Sequence, residues 1–263
     1  MAGPSAPIRR FTADALQVEV YETPAQMGLA AAAAVAAQMR ERIQATGRVR
    51  MIFAAAPSQD SLLAGLVAAR GIDWSLVEAF HMDEYLGLGP DDPASFRRYL
   101  NEHLFRLVAL RPGSSCLIPG ESTDRPLSVC LEYESRLREA PIDIVCAGIG
   151  ENGHLAFNDP PVADFLDPVD VKPVRLDGPC RLQQVHDGCF GQLEDVPTHA
   201  YTLTVPALLR ADRMAVVVPG SRKAQAVLST LRGPIRESCP ASVLRTKAGA
   251  VLYLDAASAS ALG

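Results

Sequence analysis

Short apolar runs recur along this chain, and each stops at a turn rich in glycine, proline or polar residues. The clearest are Val49–Ala56, Leu76–Met82, Ile142–Ile149, Met214–Val218 and Ala250–Leu254. A strand that is apolar along both of its faces has to be covered on both, which is the condition of a parallel sheet buried between layers of helix. The segments between the runs have helical character. One opens near Ser58 or Asp60 and runs to about Arg70, and Pro93–Leu107 carries Phe96, Leu100, Leu104 and Leu107 at helical spacing. Pro126–Glu139 and Lys223–Leu231 read the same way. Strands alternating with helices predict an α/β fold: a doubly wound, mostly parallel, Rossmann-like sheet with helices on both faces, read here as a single domain over residues 1–263.

The alanine-rich stretch Ala25–Met39 is the one segment to weigh against a membrane. It is shorter than the ~20 strongly apolar residues a spanning helix needs, and Arg40, Glu41 and Arg42 follow it. It reads as a helix of a soluble, cytoplasmic protein, ended by Gly47. The formal charge of -5 supplies no electrostatic footprint for nucleic acid, and no helix-turn-helix segment stands out. Cys116, Cys130, Cys146, Cys180, Cys189 and Cys239 contain no C-x-x-C pair, so they are expected to be reduced thiols and not a metal site or a disulfide framework.

In an open parallel sheet, ligands bind at the carboxyl ends of the strands. That rule selects four places: after Ala56, Met82, Ala147 and Val218. A fifth feature, the proline- and glycine-rich stretch of about 158–197, is read as an irregular lid or binding loop.

The richest of these places is Gly148-Ile149-Gly150-Glu151-Asn152-Gly153-His154, followed by Leu155-Ala156-Phe157-Asn158-Asp159-Pro160. Gly150 and Gly153 allow a tight turn with exposed N–H groups. His154 would sit on that turn as an acid–base group, with Asp159 near enough in sequence to orient it. The alternatives are a structural histidine or a dinucleotide loop; the second is disfavoured because no helix opens after the glycines. After the strand ending at Met82 come Asp83-Glu84-Tyr85, where a desolvated carboxylate would serve as a base or merely cap a turn. After Val218, the turn Pro219-Gly220-Ser221-Arg222-Lys223 opens a helix and suits an anion. After Ala56, Ser58, Gln59 and Ser61 offer further donors, while Asp60 would repel a phosphate if it pointed inward.

Phe80-His81-Met82-Asp83-Glu84-Tyr85, the GENGHLAFNDP segment and Gly220-Ser221-Arg222-Lys223 occur in order, and together they resemble the glucosamine-6-phosphate deaminase family. The resemblance runs from about Val49 to Leu254. The related 6-phosphogluconolactonases usually read D-E-R and G-H-T-A-S at the first two motifs, so the deaminase branch is the better fit. The resemblance implies aldose–ketose isomerisation of a hexosamine 6-phosphate with loss of ammonia, without cofactor or metal, in amino-sugar (N-acetylglucosamine) catabolism. By the same resemblance, His154 assists ring opening, Asp83 moves the proton from C2 to C1, Asp159 pairs with the histidine, and Lys223 contacts the phosphate. Asn152 stands where an aspartate is usual. The loop Pro57-Ser58-Gln59-Asp60-Ser61-Leu62 replaces a glycine-rich phosphate cradle, and Arg181 is the nearest counterpart of a lid arginine, with Gln183 or Gln184 as rivals for that place. The expected partner is a small sugar phosphate, and the family's habit of symmetric assembly allows a homo-oligomer. The competing functions are a non-catalytic sugar-phosphate sensor and a lactone hydrolase.

Overall fold

The computed structural model describes residues 5–263. A hairpin of β1 (Arg9–Ala13) and β2 (Leu16–Tyr21) leads into α1 (Pro24–Thr46), β3 (Val49–Phe53) and α2 (Asp60–Ala68). Then come β4 (Val77–His81), β5 (Asp83–Tyr85), α3 (Phe96–Leu100), β6 (Ser115–Cys116), α4 (Pro126–Arg138) and β7 (Ile144–Ala147). The remainder is β8 (Val171–Arg175), α5 (Gly178–His186), β9 (His199–Leu203), α6 (Val205–Leu209), β10 (Arg213–Val218), α7 (Ala224–Arg232) and β11 (Ala250–Asp255).

Eight strands form the main sheet in the order β1-β2-β11-β10-β7-β3-β4-β6, parallel throughout except for β1 against β2. This is the expected α/β fold, with the apolar runs as its inner strands. All residues of β3 and β7 are buried, because helices cover both faces. Neighbouring side chains on a strand point to opposite faces, so Ile52, Val145 and Val216 join one apolar cluster with α4 and α7. Met51, Phe53, Ile144, Cys146 and Val217 join another with α1, α2 and α3.

The alanine run of α1 has a packing role. Thr23 caps the helix by accepting from the Gln26 N–H, and Gly47 ends it in a left-handed turn with its N–H on the Ile43 carbonyl. Small residues let α1 and α2 approach closely: a Cβ at Gly65 would lie 2.5 Å from that of Ala32. Among the described residues, no helix is long and apolar enough to cross a membrane. Asp143, which interrupts the third apolar segment near its start, accepts from the Arg50 N–H at 2.7 Å and pairs with Arg42, at the end of the sheet away from the strands' carboxyl ends.

Several expectations need correction. The segment Leu76–Met82 gives a strand only from Val77 to His81, and the chain then enters a second, antiparallel sheet, β5-β9-β8. Met82 forms the junction: its N–H donates to the Phe53 carbonyl in the main sheet, and its own carbonyl accepts from the Leu203 N–H. Asp83 therefore opens a strand and does not lie in a loop. The helix expected over Pro93–Leu107 begins at Phe96, capped by Ser95, and widens into a π turn at Asn101–Phe105. The stretch 158–197 is more ordered than its composition suggests, since it holds β8 and α5. Pro173 fits within β8 because that strand lies at a sheet edge, where the missing N–H is not needed.

The main sheet reverses its winding between β3 and β7, which are neighbours although the chain passes through β4 and β6 in between. Ligands of open α/β sheets bind at such a reversal.

Candidate active site

At that reversal a cavity is lined by Ser58 and Gln59 after β3, Asp83 after β4, Gly148–Gly150 and His154 after β7, Gln183 and Gln184 from α5, and Lys223 after β10. The four places selected at the strand ends thus meet at one point, together with the segment expected to form a lid.

Asp83 and Glu84 separate cleanly. Alternation along β5 turns them to opposite sides. Glu84 is fully buried and caps α3, accepting from the Phe96 and Arg97 N–H groups at 3.1 and 3.0 Å and from Ser95 Oγ at 2.9 Å. Asp83 lines the cavity. Burial, and then the charge of Glu84, pushes the Asp83 carboxyl well above the ordinary carboxylate range, with no cation or hydrogen bond to offset them.

His154 lies across Gly150. A Cβ at position 150 would fall 2.2–2.3 Å from three atoms of the imidazole, so only glycine leaves room for the ring. The turn is held by Gly153 N–H to the Gly150 carbonyl and by Gly150 N–H to the His154 carbonyl, each at 3.0 Å. Gly153 adopts φ +86, and a Cβ there would meet Cys239 Sγ at 3.0 Å; it shapes the turn without lining the cavity. Ala156 also has positive φ, a strained conformation for a residue with a Cβ, and it does line the cavity.

Behind the ring, His154 Nδ1 is 3.1 Å from Asp159 Oδ1. Burial tends to raise the Asp159 carboxyl, but the pairing with the His154 ring and hydrogen bonds from Asn152 Nδ2 (3.0 Å) and the Asp177 N–H (3.2 Å) outweigh it, and the net direction is down. Asn152 also donates to the Asp177 carboxylate at 3.3 Å and accepts from the His154 N–H at 3.0 Å. Its amide thus bridges two carboxylates that a third carboxylate in its place would repel. Asp177 went unnoticed in the sequence. The legible signal was Asp177-Gly178-Pro179, a helix cap followed by an early proline, and Asp177 Oδ1 does cap α5 through the Cys180 N–H at 2.7 Å.

The lid contacts fall to the glutamines. Gln183 Oε1 accepts from the Glu151 N–H at 2.8 Å, and Gln184 lines the cavity. Arg181 faces elsewhere: its Nη2 donates to the Leu193 and Val196 carbonyls at 2.7 and 2.8 Å, which ties α5 to the loop after it. Ser61 likewise lies outside the cavity, with Oγ 3.4 Å from the Pro24 carbonyl between α1 and α2. Asp60 does not point inward, being bonded by the Tyr99 hydroxyl on the outer side of its helix. Lys223 is buried; burial lowers its pKa, while the charges of Asp187 and Glu151 work to raise it.

Donor atoms of His154, Asp159 and Cys180 lie within 4.8 Å of one another, the one such group among the described residues. The imidazole and carboxylate of this group are already paired with each other, and burial raises the pKa of the Cys180 thiol. The arrangement suits proton transfer: a carboxyl able to hold or release a proton faces an imidazole whose far side is fixed by a carboxylate.

A sequence profile of the family described as glucosamine-6-phosphate isomerases/6-phosphogluconolactonase matches residues 22–159. A glucosamine-6-phosphate deaminase of Listeria innocua is 36% identical over 217 residues, covering 82% of this chain and 89% of that protein. One of Exiguobacterium sibiricum is 35% identical over 195 residues, 73% of each. Among solved structures, a monomeric glucosamine-6-phosphate deaminase superposes with a TM-score of 0.85 at 26% identity, covering 93% of this chain and 99% of that one. A 6-phosphogluconolactonase of Thermotoga maritima gives 0.74 over 91% and 99% of the two chains; at 18% identity, that likeness speaks for the fold alone.

Proposed function

The chain belongs to the glucosamine-6-phosphate isomerase/6-phosphogluconolactonase family, and from that footing we propose that it converts a hexosamine 6-phosphate into ketohexose 6-phosphate and ammonia. The observation that carries this reading is the placement of Asp83 and the His154–Asp159 pair on one cavity, with the Asp83 carboxyl raised by burial.

Ring opening needs a proton delivered to the ring oxygen as the C1 hydroxyl loses one. An imidazole backed by a carboxylate serves both transfers, because Asp159 stabilises the charged ring between them. Asp83, as carboxylate, then takes the proton from C2; the C2–H electron pair moves into a C1–C2 double bond while the C1=O π pair passes to O1, which takes a proton from His154, giving an enolamine. Returning that proton to C1 leaves an imine at C2. Water adds there, and ammonia departs with the C–N electron pair. A carboxyl whose pKa lies well above the ordinary range is suited to both halves of the C2-to-C1 transfer. Lys223 supplies the positive charge for the phosphate, and Asn152, Asp159 and Asp177 hold His154 in place. The six cysteines, all free thiols, suit a reducing cytoplasmic setting.

The test is a steady-state assay for ammonia and ketose phosphate from glucosamine 6-phosphate and galactosamine 6-phosphate. Turnover of one of them, lost in Asp83→Asn, is the expected result. A folded protein that turns over neither overturns the assignment, and release of a sugar acid without ketose points to the lactonase reaction.

A further inference from the structure

Gln59 sits where a phosphate cradle is expected, yet its amide faces the wrong way to be one. Nε2 donates to the Val217 carbonyl at 3.3 Å and to Ser58 Oγ at 3.2 Å. The Val217 carbonyl has no proton to give, so reversing the amide would set two acceptors against each other. That fixes Oε1, which is buried and has no hydrogen-bond partner. A buried acceptor in this state costs free energy until something donates to it. Gly148 makes the arrangement fit: a Cβ there would lie 3.1 Å from Gln59 Nε2.

The surrounding backbone gives an anion little more. Pro57 has no N–H, and the Gln59 N–H is taken by the Ala56 carbonyl at 2.8 Å. The β3 side of the cavity therefore offers an acceptor in search of a donor, and the buried cation of the site, Lys223, comes from the β10 side. An amide oxygen beside a phosphate would repel it; beside a hydroxyl or an amino group it would be satisfied.

We infer that Gln59 is a specificity-determining residue: Oε1 accepts a hydrogen bond from a hydroxyl or amino group of the bound sugar, and the phosphate is held from the Lys223 side without it. The inference rests on the amino-sugar phosphate substrate proposed above. It also gives the changed loop a purpose, since a chain that reads the sugar through Gln59 has exchanged anion grip for selection among sugars.

The experiment is calorimetric binding in an Asp83→Asn background, which holds substrate without turning it over, combined with Gln59→Leu or Lys223→Met. The probes are glucosamine 6-phosphate, 2-deoxyglucose 6-phosphate, and inorganic phosphate titrated as a competitor. Gln59→Leu should weaken glucosamine 6-phosphate by about tenfold to a hundredfold and change inorganic phosphate by less than about twofold. Lys223→Met should weaken both. If 2-deoxyglucose 6-phosphate suffers the same loss in Gln59→Leu, the donor is a ring hydroxyl; if it suffers none, the donor is the C2 amino group. Gln59→Asn, which keeps the amide but withdraws it, should reproduce the pattern should the leucine variant not fold. An equal loss of inorganic phosphate in Gln59→Leu would overturn the inference. So would unchanged sugar-phosphate binding in that variant, no sugar-phosphate binding in the background protein, or no competition by phosphate there. This binding pattern in a protein that releases no ammonia would strike the proposed reaction and leave the role of Gln59 standing.

Discussion

A single methyl group at position 150 should dislodge His154. The alanine Cβ of Gly150→Ala would lie 2.2 Å from Cε1 and 2.3 Å from both ring nitrogens. Non-bonded atoms settle at about 3.5–4.0 Å, so the ring has to retreat by more than about 1 Å. Nδ1 starts 3.1 Å from Asp159 Oδ1, and a shift of that size disturbs this pairing. A misplacement of about 1 Å costs roughly a hundredfold in rate. Overpacking of this kind costs about 1–3 kcal/mol in stability, or about 2–6 °C in Tm for a chain of this size. Ammonia release under steady state, with a thermal melt of the same preparation, reads both effects. A variant within about threefold of the parent in kcat/KM and with an unmoved Tm would refute the placement of the ring over Gly150.

Glu84→Gln should lower stability by about 2–3 kcal/mol, because it weakens a buried cap on α3, while kcat measured well below its Tm stays near the parent value. Asp83→Asn should cut kcat by roughly a thousandfold or more. The same variant should be stabilised relative to the parent at about pH 8 and much less at about pH 5. The sign follows from burial: the raised Asp83 carboxyl favours its neutral form in the folded protein, so the parent loses stability as pH rises through that raised pKa, and asparagine does not. Parent activity should fall with acidification at a higher pH than an ordinary aspartate would impose, as a pH–rate profile will show. Asp177→Ala should cost about 1 kcal/mol through loss of the α5 cap, and should lower kcat through loss of a partner of Asn152, measured by melting and by turnover.

The inner strands were legible because burial on both faces leaves unbroken apolar runs, as in β3, β7 and β10. The hairpin β1–β2 and the sheet β5-β9-β8 were not. The residues of β1, β2 and β8 mix buried and exposed positions over short lengths, β5 has only three residues, and β8 contains a proline. Asp83 and His154 were readable from strand ends and glycines, since the sheet itself places them. Arg181, the nearest counterpart of a lid arginine by resemblance, lies off the cavity because the carbonyls of Leu193 and Val196 hold its guanidinium, while its rivals Gln183 and Gln184 line it. The orientation of the Gln59 amide depends on a carbonyl 158 residues away in the chain, and no local pattern announces that.

Asp83 as the group that carries a proton from C2 to C1 is the claim on which the rest depends. Proton NMR of the purified protein acting on glucosamine 6-phosphate in heavy water tests it most directly. Formation of ketohexose 6-phosphate in which C1 retains protium taken from C2, with ketose absent in an Asp83→Asn variant that melts like the parent, is the predicted result. No ketose in the parent protein, deuterium filling the new C1 position completely, or unchanged ketose formation in Asp83→Asn, would contradict it.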